Sequence, residues 1–337
     1  MNIGRNRSSY IFLTFVGLML VALPLALPEV RAGAVRQAQA NGGVLGAGGQ
    51  RGLTFVHTAS APFGSQASYD SLARLHKTGA NWVSVVAPIR QSSANSTTFA
   101  LIRSALDPTD AGLTAVIAYA HSLGMKVMFE PVVLADDGAD SRGLAPQPAS
   151  EWFDNYRQTL GDFADLARAA GAEEFCIGSR LSALTGPQYD PEWDQVITSV
   201  RQYYFGPITY SADWGATGDA EFARIGWWNR LDYIGIAAYF PASASASAQA
   251  SISAVQTHWA KPVQFTQIGF ASQPPSQQAT SYDAIIQAWG RVPWLAGIFW
   301  SPWYSSPTAG GPFDTGESPQ NKPAEGVLTR WYAGAAR

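Results

Sequence analysis

The stretch "EWFDNYRQTLGDFADLARAAGAEEFCIGSRL", residues 151–181, contains the unit from which the fold is read. Trp152, Phe153, Tyr156, Leu160 and Phe163 recur at helical spacing, which predicts a helix over 151–170. Gly171 stands just past its end, where a left-handed residue commonly closes a helix. The short apolar run that follows predicts a buried strand over 174–178. At the end of this strand stands Arg180, a charge delivered to one edge of a buried sheet.

The same unit recurs on both sides. Strands are predicted over 52–56, 82–87, 126–132, 174–178, 207–212, 233–238, 263–269 and 295–300. Each is followed by a helical pattern, over 69–77, 110–123, 151–170, 192–203, 220–228, 248–259, 282–289 and 324–332. Asp110 reads as an N-cap, Gly124 and Gly171 as C-terminal stops, and Pro191 and Pro323 as helix starts. Eight βα units with no break in composition predict a single (β/α)8 TIM barrel over 51–335. The competing doubly wound sheet lacks the G-x-G-x-x-G that its first turn would carry.

The flanking sequence and composition narrow the function. "MNIGRNRSSYIFLTFVGLMLVALPLALPEVRAGA" has two arginines, Arg5 and Arg7, ahead of an apolar run over 11–27, and then Ala32-Gly33-Ala34, so residues 1–34 are expected to be a secretory signal peptide, with an uncleaved anchor as the rival. Residues 35–50 are expected to be a Gly-rich linker, and the protein to be secreted or held at the cell surface, with no membrane contact after cleavage. A net charge of -3 without any basic block disfavours nucleic acid as a partner. The single cysteine, Cys176, lies inside a predicted strand and reads as a small core residue, with no disulfide available.

In a (β/α)8 barrel the C-terminal strand ends and the βα loops build the site. That rule selects Arg90 and Gln91, Glu130, Ser179 and Arg180, Asp213 and Trp214, Tyr239, Gln267, Trp300 and Trp303. Glu173 and Asp232 precede their strands and read as structural. The aromatic content, with Phe240 and Tyr304 added, suits stacking on sugar rings. Arg90, Gln91, Trp214, Tyr239, Trp300, Trp303 and Tyr304 are therefore the expected substrate-binding set. Asp136 and Asp137 beside Gly138, and Asp314 and Glu317 in "GGPFDTGES", lack the ligand spacing of a metal site and read as loop residues. No metal and no cofactor is expected. "PASASASAQAS", residues 241–251, reads as a low-complexity loop running into the sixth helix.

Six motifs, "MKVMFEPVVLADDG", "EFCIGSRLSALTG", "ITYSADWG", "LDYIGIAAYFP", "PVQFTQIGFAS" and "GIFWSPWYSSP…DTGESPQNKPAEGVLTRWY", resemble in order those of glycoside hydrolase family 113, secreted β-mannanases with a (β/α)8 fold and a retaining mechanism. The resemblance implies an acid/base glutamate at the position of Arg180 and a nucleophilic glutamate at that of Gln267. Other positions depart as well: Ala237 replaces an expected aspartate, Glu130 an expected lysine, Pro88-Ile89-Arg90-Gln91 an aromatic-bearing segment, and Ser301-Pro302 interrupts an aromatic run.

Retaining hydrolysis needs two carboxyl groups roughly 5–5.5 Å apart. A glutamine is too weak a nucleophile, and a permanently charged guanidinium cannot cycle between acid and base. Three readings follow. The first is a barrel that binds a β-linked polysaccharide, mannan above all, and has lost the retaining pair. The second is an endo-β-mannanase-like glycosidase that uses Glu130 and Asp213 as relocated acids; against it, Arg180 is expected to pair with one or both. The third is a scaffold that binds a partner other than sugar.

Overall fold

A computed structural model of the chain describes residues 43–100, 107–215 and 220–335. The predicted signal peptide lies outside the described residues. Eight parallel strands, each paired with the next in sequence and the last with the first, close into a barrel. They are β1 (Gln50–Val56), β2 (Trp82–Gln91), β3 (Lys126–Ala135), β4 (Glu174–Ser179), β5 (Ile208–Asp213), β6 (Ile234–Ala237), β7 (Val263–Ile268) and β8 (Leu295–Tyr304). The helices between and after them are α1 (Gln66–Lys77), α2 (Asp110–Ser122), α3 (Ala149–Ala170), α4 (Asp190–Tyr203), α5 (Glu221–Arg224), α6 (Ser245–Trp259), α7 (Pro275–Trp289) and α8 (Pro323–Ala335). This is a single (β/α)8 TIM-barrel domain. No described helix is long and apolar enough to cross a membrane.

Local chemistry explains most boundaries. Thr109, not Asp110, caps α2, because the Thr109 hydroxyl accepts from Gly112 N at 3.0 Å; Asp110 sits in the first turn, where its charge suits the helix dipole. The fifth helix is a single turn instead of the nine residues expected. Beyond it, Trp227 turns inward to stack on Trp193 at 4.8 Å, while Gly226 lies against Asp190. The low-complexity stretch is mostly helical, since α6 starts at Ser245 and buries Ala248 and Ile252. The expected linker is packed from Gly43 onward: Val44 and Leu45 are buried, and Leu45 N donates to Gly290 O at 2.9 Å.

The main core fills the space between strands and helices, while Trp82, Met128, Cys176 and Phe299 form a separate cluster. Trp82 and Phe299 meet edge to face across non-adjacent strands, which places the second cluster in the lumen. Nearer the N-terminal strand ends, Gln264 Nε2 donates to Gln50 Oε1 at 2.6 Å and to Glu174 Oε2 at 2.9 Å, and Gln50 Nε2 reaches Glu174 Oε2 at 3.1 Å. These residues come from β7, β1 and β4, so their bonds also cross the lumen. Higher up, Ser211 on β5 and Thr266 on β7 share a hydrogen bond of 2.7 Å past β6, an approach that Gly235 permits because a Cβ there would lie 2.6 Å from Thr209 Oγ1 and 2.9 Å from Thr266 Cγ2.

Burial pushes the Glu174 carboxyl up to about 8, against the two amide hydrogen bonds. Its folded value thus stands above the ordinary one of about 4.3. Stability from this group is complete below that ordinary value and is lost as pH rises through about 8. Urea midpoints measured from pH 5 to 9 are expected to fall with rising pH, and Glu174→Gln to flatten the slope in part, with Glu130 and Glu221 contributing in the same sense. An unchanged slope in the variant would exclude Glu174 as a source.

Candidate functional site

The C-terminal strand ends gather Glu130 (β3), Ser179 (β4), Arg180 just after it, Asp213 (β5), Tyr239 after β6 and Gln267 (β7) around one opening. Glu130 is fully buried, accepting from Ser84 Oγ at 2.6 Å and from Gln267 Nε2 at 2.6 Å. The bond to Gln267 joins β3 to β7 across the barrel mouth. Gln267 also approaches Ser179 Oγ at 3.5 Å, and its Oε1 accepts from the Tyr239 hydroxyl at 3.4 Å. Burial pushes Glu130 up to about 7, opposed by its two hydrogen bonds. Burial likewise pushes Tyr239 up to about 12.

Arg180 adopts left-handed backbone geometry, φ 53°, a conformation that costs a non-glycine residue about 1–2 kcal/mol. Two flanking bonds hold it there, Arg180 N to Ser211 O at 2.8 Å and the Tyr210 hydroxyl accepting from Leu181 N at 2.8 Å. The guanidinium then lies 5.5 Å from the centre of the Tyr239 ring and donates from Nε to Asp213 Oδ1 at 3.0 Å. Asp213 Oδ2 accepts from Gly215 N at 3.0 Å and stands 3.9 Å from Arg142. Arg142 grips Asp140 through two bonds of 2.9 and 2.8 Å, and Asp140 lies 4.0 Å from Arg180. That grip holds the Asp140 carboxyl down at about 2.

The expected pairing of Arg180 is therefore with Asp213, extended by Asp140 and Arg142, and Glu130 is taken up by Gln267 instead. Asp140 and Arg142 sit on the β3–α3 loop, where no strand period marks which residues face the opening. The signal available in the sequence was an acid and an arginine two residues apart in a top-face loop.

Several residues expected to meet substrate lie elsewhere. Trp300 is fully buried, stacked on Tyr282 at 4.0 Å and donating to the Tyr332 hydroxyl at 2.9 Å. Trp303 is also fully buried and donates to Ser71 Oγ at 3.0 Å. Both face the helices because β8 pairs Leu53 with Trp300 and Phe55 with Trp303; the bulge adds a residue on β8 and keeps both rings on one side. Phe240 is buried as well.

Strands β2 and β3 run on together past the barrel rim, carrying Arg90 and Gln91 outward. Gln91 is buried between Trp152 Nε1 and Ser93 O, at 2.9 and 2.7 Å. Arg90 is claimed by Asp107 at 2.7 and 2.8 Å and by Asp136 at 2.9 Å. Asp137 caps Ala94 N and Ala139 N, and Asp314 pairs with Lys322 at 2.6 Å. Among the described residues, no group of three or more His, Cys, Asp and Glu is arranged to hold a metal. Tyr239, Trp214 and Tyr304 remain partly exposed at the rim, Trp214 with Phe222 stacked on it at 5.4 Å. Glu317 joins them from the β8–α8 loop, a position read from sequence as a turn residue.

With the fold and the top face in place, comparison is informative. The family model of Glycoside Hydrolase Family 113 matches residues 53–310. The chain belongs to that family. Its barrel is similar to that of a family 113 β-mannanase from Alicyclobacillus acidocaldarius solved in complex with ManMIm, at 22% identity and a TM-score of 0.78, covering 87% of this chain and 99% of the other. A family 113 β-1,4-mannanase solved as a complex gives 23% identity and a TM-score of 0.76, over 84% and 98%. No curated protein matches the chain. Within this family 113 member, the four-residue ion network at the mouth contains two arginines and two aspartates and is formally neutral.

Removing one partner of a fully buried ion pair costs roughly 3–5 kcal/mol, and exposure reduces it. With 26% of the Arg180 side chain exposed, Arg180→Ala is expected to cost about 1–2 kcal/mol, discounted for solvent screening. The paired change Arg180→Ala with Asp213→Asn should cost less than the sum of the singles in a urea double-mutant cycle. Strict additivity would mean that the two side chains do not interact.

Proposed function

We propose that this chain is a secreted family 113 barrel that binds a β-linked polysaccharide, with a mannan-type chain as the expected ligand, and that has lost hydrolysis by the retaining route. The observation that supports the reading is the state of the mouth. Where the family resemblance calls for two carboxylates, Arg180 is tied to Asp213 at 3.0 Å and Gln267 to Glu130 at 2.6 Å. Gln267 offers an amide, which cannot form a glycosyl ester, and a guanidinium, which stays charged, cannot alternate between acid and base. The remaining rim, with Trp214 and Tyr304 partly exposed and the Tyr239 ring beneath Arg180, offers aromatic surface of the kind that packs on sugars.

Affinity of the exported protein for mannan, glucomannan and xylan, measured together with release of reducing ends, tests this directly. Binding to a β-mannan without reducing-end release is the expected result; absence of binding across the panel would overturn it. The double change Arg180→Glu with Gln267→Glu is expected to restore measurable cleavage of a β-mannan oligosaccharide. Cleavage by the double variant but not by either single would locate the loss in this pair.

One observation favours the competing reading, in which Glu130 and Asp213 act as relocated acids. Glu130 is raised to about 7, a value suited to a general acid. Its full burial beneath Gln267 removes it from a leaving oxygen, and Asp213 already serves Arg180. Turnover of an aryl β-mannoside by the native chain, abolished by Glu130→Gln, is the result that would establish this alternative.

A further inference from the structure

We propose that Glu317 is the carboxylate through which this cleft holds a neutral β-linked sugar, its two oxygens accepting from a pair of adjacent ring hydroxyls. The inference rests on the glycan-binding reading above and adds to it a residue and a chemistry. Glu317 lies in the loop between β8 and α8, and its backbone is fixed. Its carbonyl accepts from Gln278 Nε2 at 2.9 Å and from the Tyr282 hydroxyl at 3.5 Å, both on α7.

The side chain lies over Gly269, the residue that follows β7. Its Cβ and Oε2 are each 3.3 Å from the point where a Cβ on Gly269 would stand, and Ser301 O is 2.3 Å from that point. A Cβ there would clash with the Ser301 carbonyl on β8 and crowd Glu317, so glycine lets the end of β7 approach β8 with the Glu317 side chain laid over it. The Glu317 charge is felt by Tyr239, and Arg180 in turn favours its ionised form, so it stands within the field of the barrel mouth.

The other acids around this mouth are occupied. Asp140 is gripped by Arg142, Asp213 by Arg180, Glu130 by Ser84 and Gln267, Asp136 by Arg90, and Asp314 by Lys322. Glu317 is half-buried, and none of the described residues donates a hydrogen bond to its carboxylate. Withdrawing a carboxylate from water without supplying donors is unfavourable, and a ligand that brings donors reverses the deficit. Burial accordingly raises the Glu317 pKa.

The surrounding charges select the class of ligand. An anionic sugar is repelled by Glu317 itself. An ammonium-bearing sugar meets the guanidinium of Arg180, which already occupies the Tyr239 face. A vicinal diol brings two O–H donors and no charge, which matches two acceptor oxygens on a fixed backbone.

The test is calorimetric titration of the full mature chain and its variants with a β-1,4-mannan oligosaccharide, with thermal unfolding recorded in parallel. Glu317→Ala is expected to weaken binding about tenfold or more, since hydrogen bonds to a charged group are the stronger kind. Glu317→Asp, which keeps the charge but shortens the reach, should also weaken it, and Glu317→Gln, which keeps one acceptor, should fall between wild type and alanine. The unfolding midpoint should stay within a degree or so of wild type, which a purely structural role would not allow. Unaltered affinity in Glu317→Ala, with the native chain binding, overturns the assignment of Glu317. Preference of the native chain for a glucosamine oligomer over neutral mannan overturns the ligand class. A native chain that binds no glycan overturns the underlying reading instead.

Discussion

Closing eight strands into a barrel turns half of every strand toward a lumen remote from solvent, so a polar side chain placed there must find its partner across the axis. This constraint runs through the molecule. At the N-terminal end of the lumen it joins Gln50, Glu174 and Gln264 from three strands that are not neighbours; at the mouth it joins Glu130 to Gln267. In both layers amide N–H groups donate to a buried carboxyl, and in both the carboxyl is pushed up toward its neutral form. Glu174 Oε1, Gln264 Oε1 and Thr54 Oγ1 are buried with no hydrogen-bond partner among the described residues. Such groups are costly to leave alone, and the raised carboxyl of Glu174 makes the lower lumen a pH-sensitive part of the fold.

The same constraint governs Arg180. A guanidinium introduced at a strand end among buried groups needs a carboxylate, and Asp213 on the adjacent strand supplies it. The left-handed backbone at Arg180 is what directs the side chain across Tyr239 toward Asp213, and bonds from Ser211 and Tyr210 hold that geometry. Every charge in the Arg180, Asp213, Arg142 and Asp140 network is matched within about 4 Å. Gln267 likewise presents its amide N–H to Glu130 and its carbonyl to Tyr239, so each of the two groups is integrated into hydrogen bonding suited to its own chemistry.

The sequence made the architecture readable because βα alternation depends on local periodicity. All eight strands and the closure of the sheet follow from apolar runs and helix boundaries, with ends shifted by a few residues. The orientation of Trp300 and Trp303 did not follow. An aromatic residue at a strand end faces either sugar or helix according to the pleat, and here a bulge between β1 and β8 decides it, a feature of pairing that leaves no mark along a single strand. The need of Arg180 for a partner was legible from charge alone, whereas the choice between Glu130 and Asp213 depended on Gln267 reaching Glu130 from the far side of the barrel. Asp140, Arg142 and Glu317 were obscure for another reason. They lie on loops, where no period marks the face on which a residue sits.

The division of labour among these residues also explains how such a barrel can change its mouth without losing its fold. Trp300 and Trp303 are anchored to α8 and α1 through Tyr332 and Ser71, and Trp152 to β2 through Gln91. These contacts lie on the helix-facing side of the strands or beyond the rim. Arg180 and Gln267 face the opening and exchange bonds chiefly with Asp213, Glu130, Tyr239 and Ser179. A change in the second group is compensated within that group, because its members touch few of the residues that hold helices to the sheet. The closure and aromatic packing of the barrel are therefore largely independent of the charges at its C-terminal end, which are satisfied among themselves.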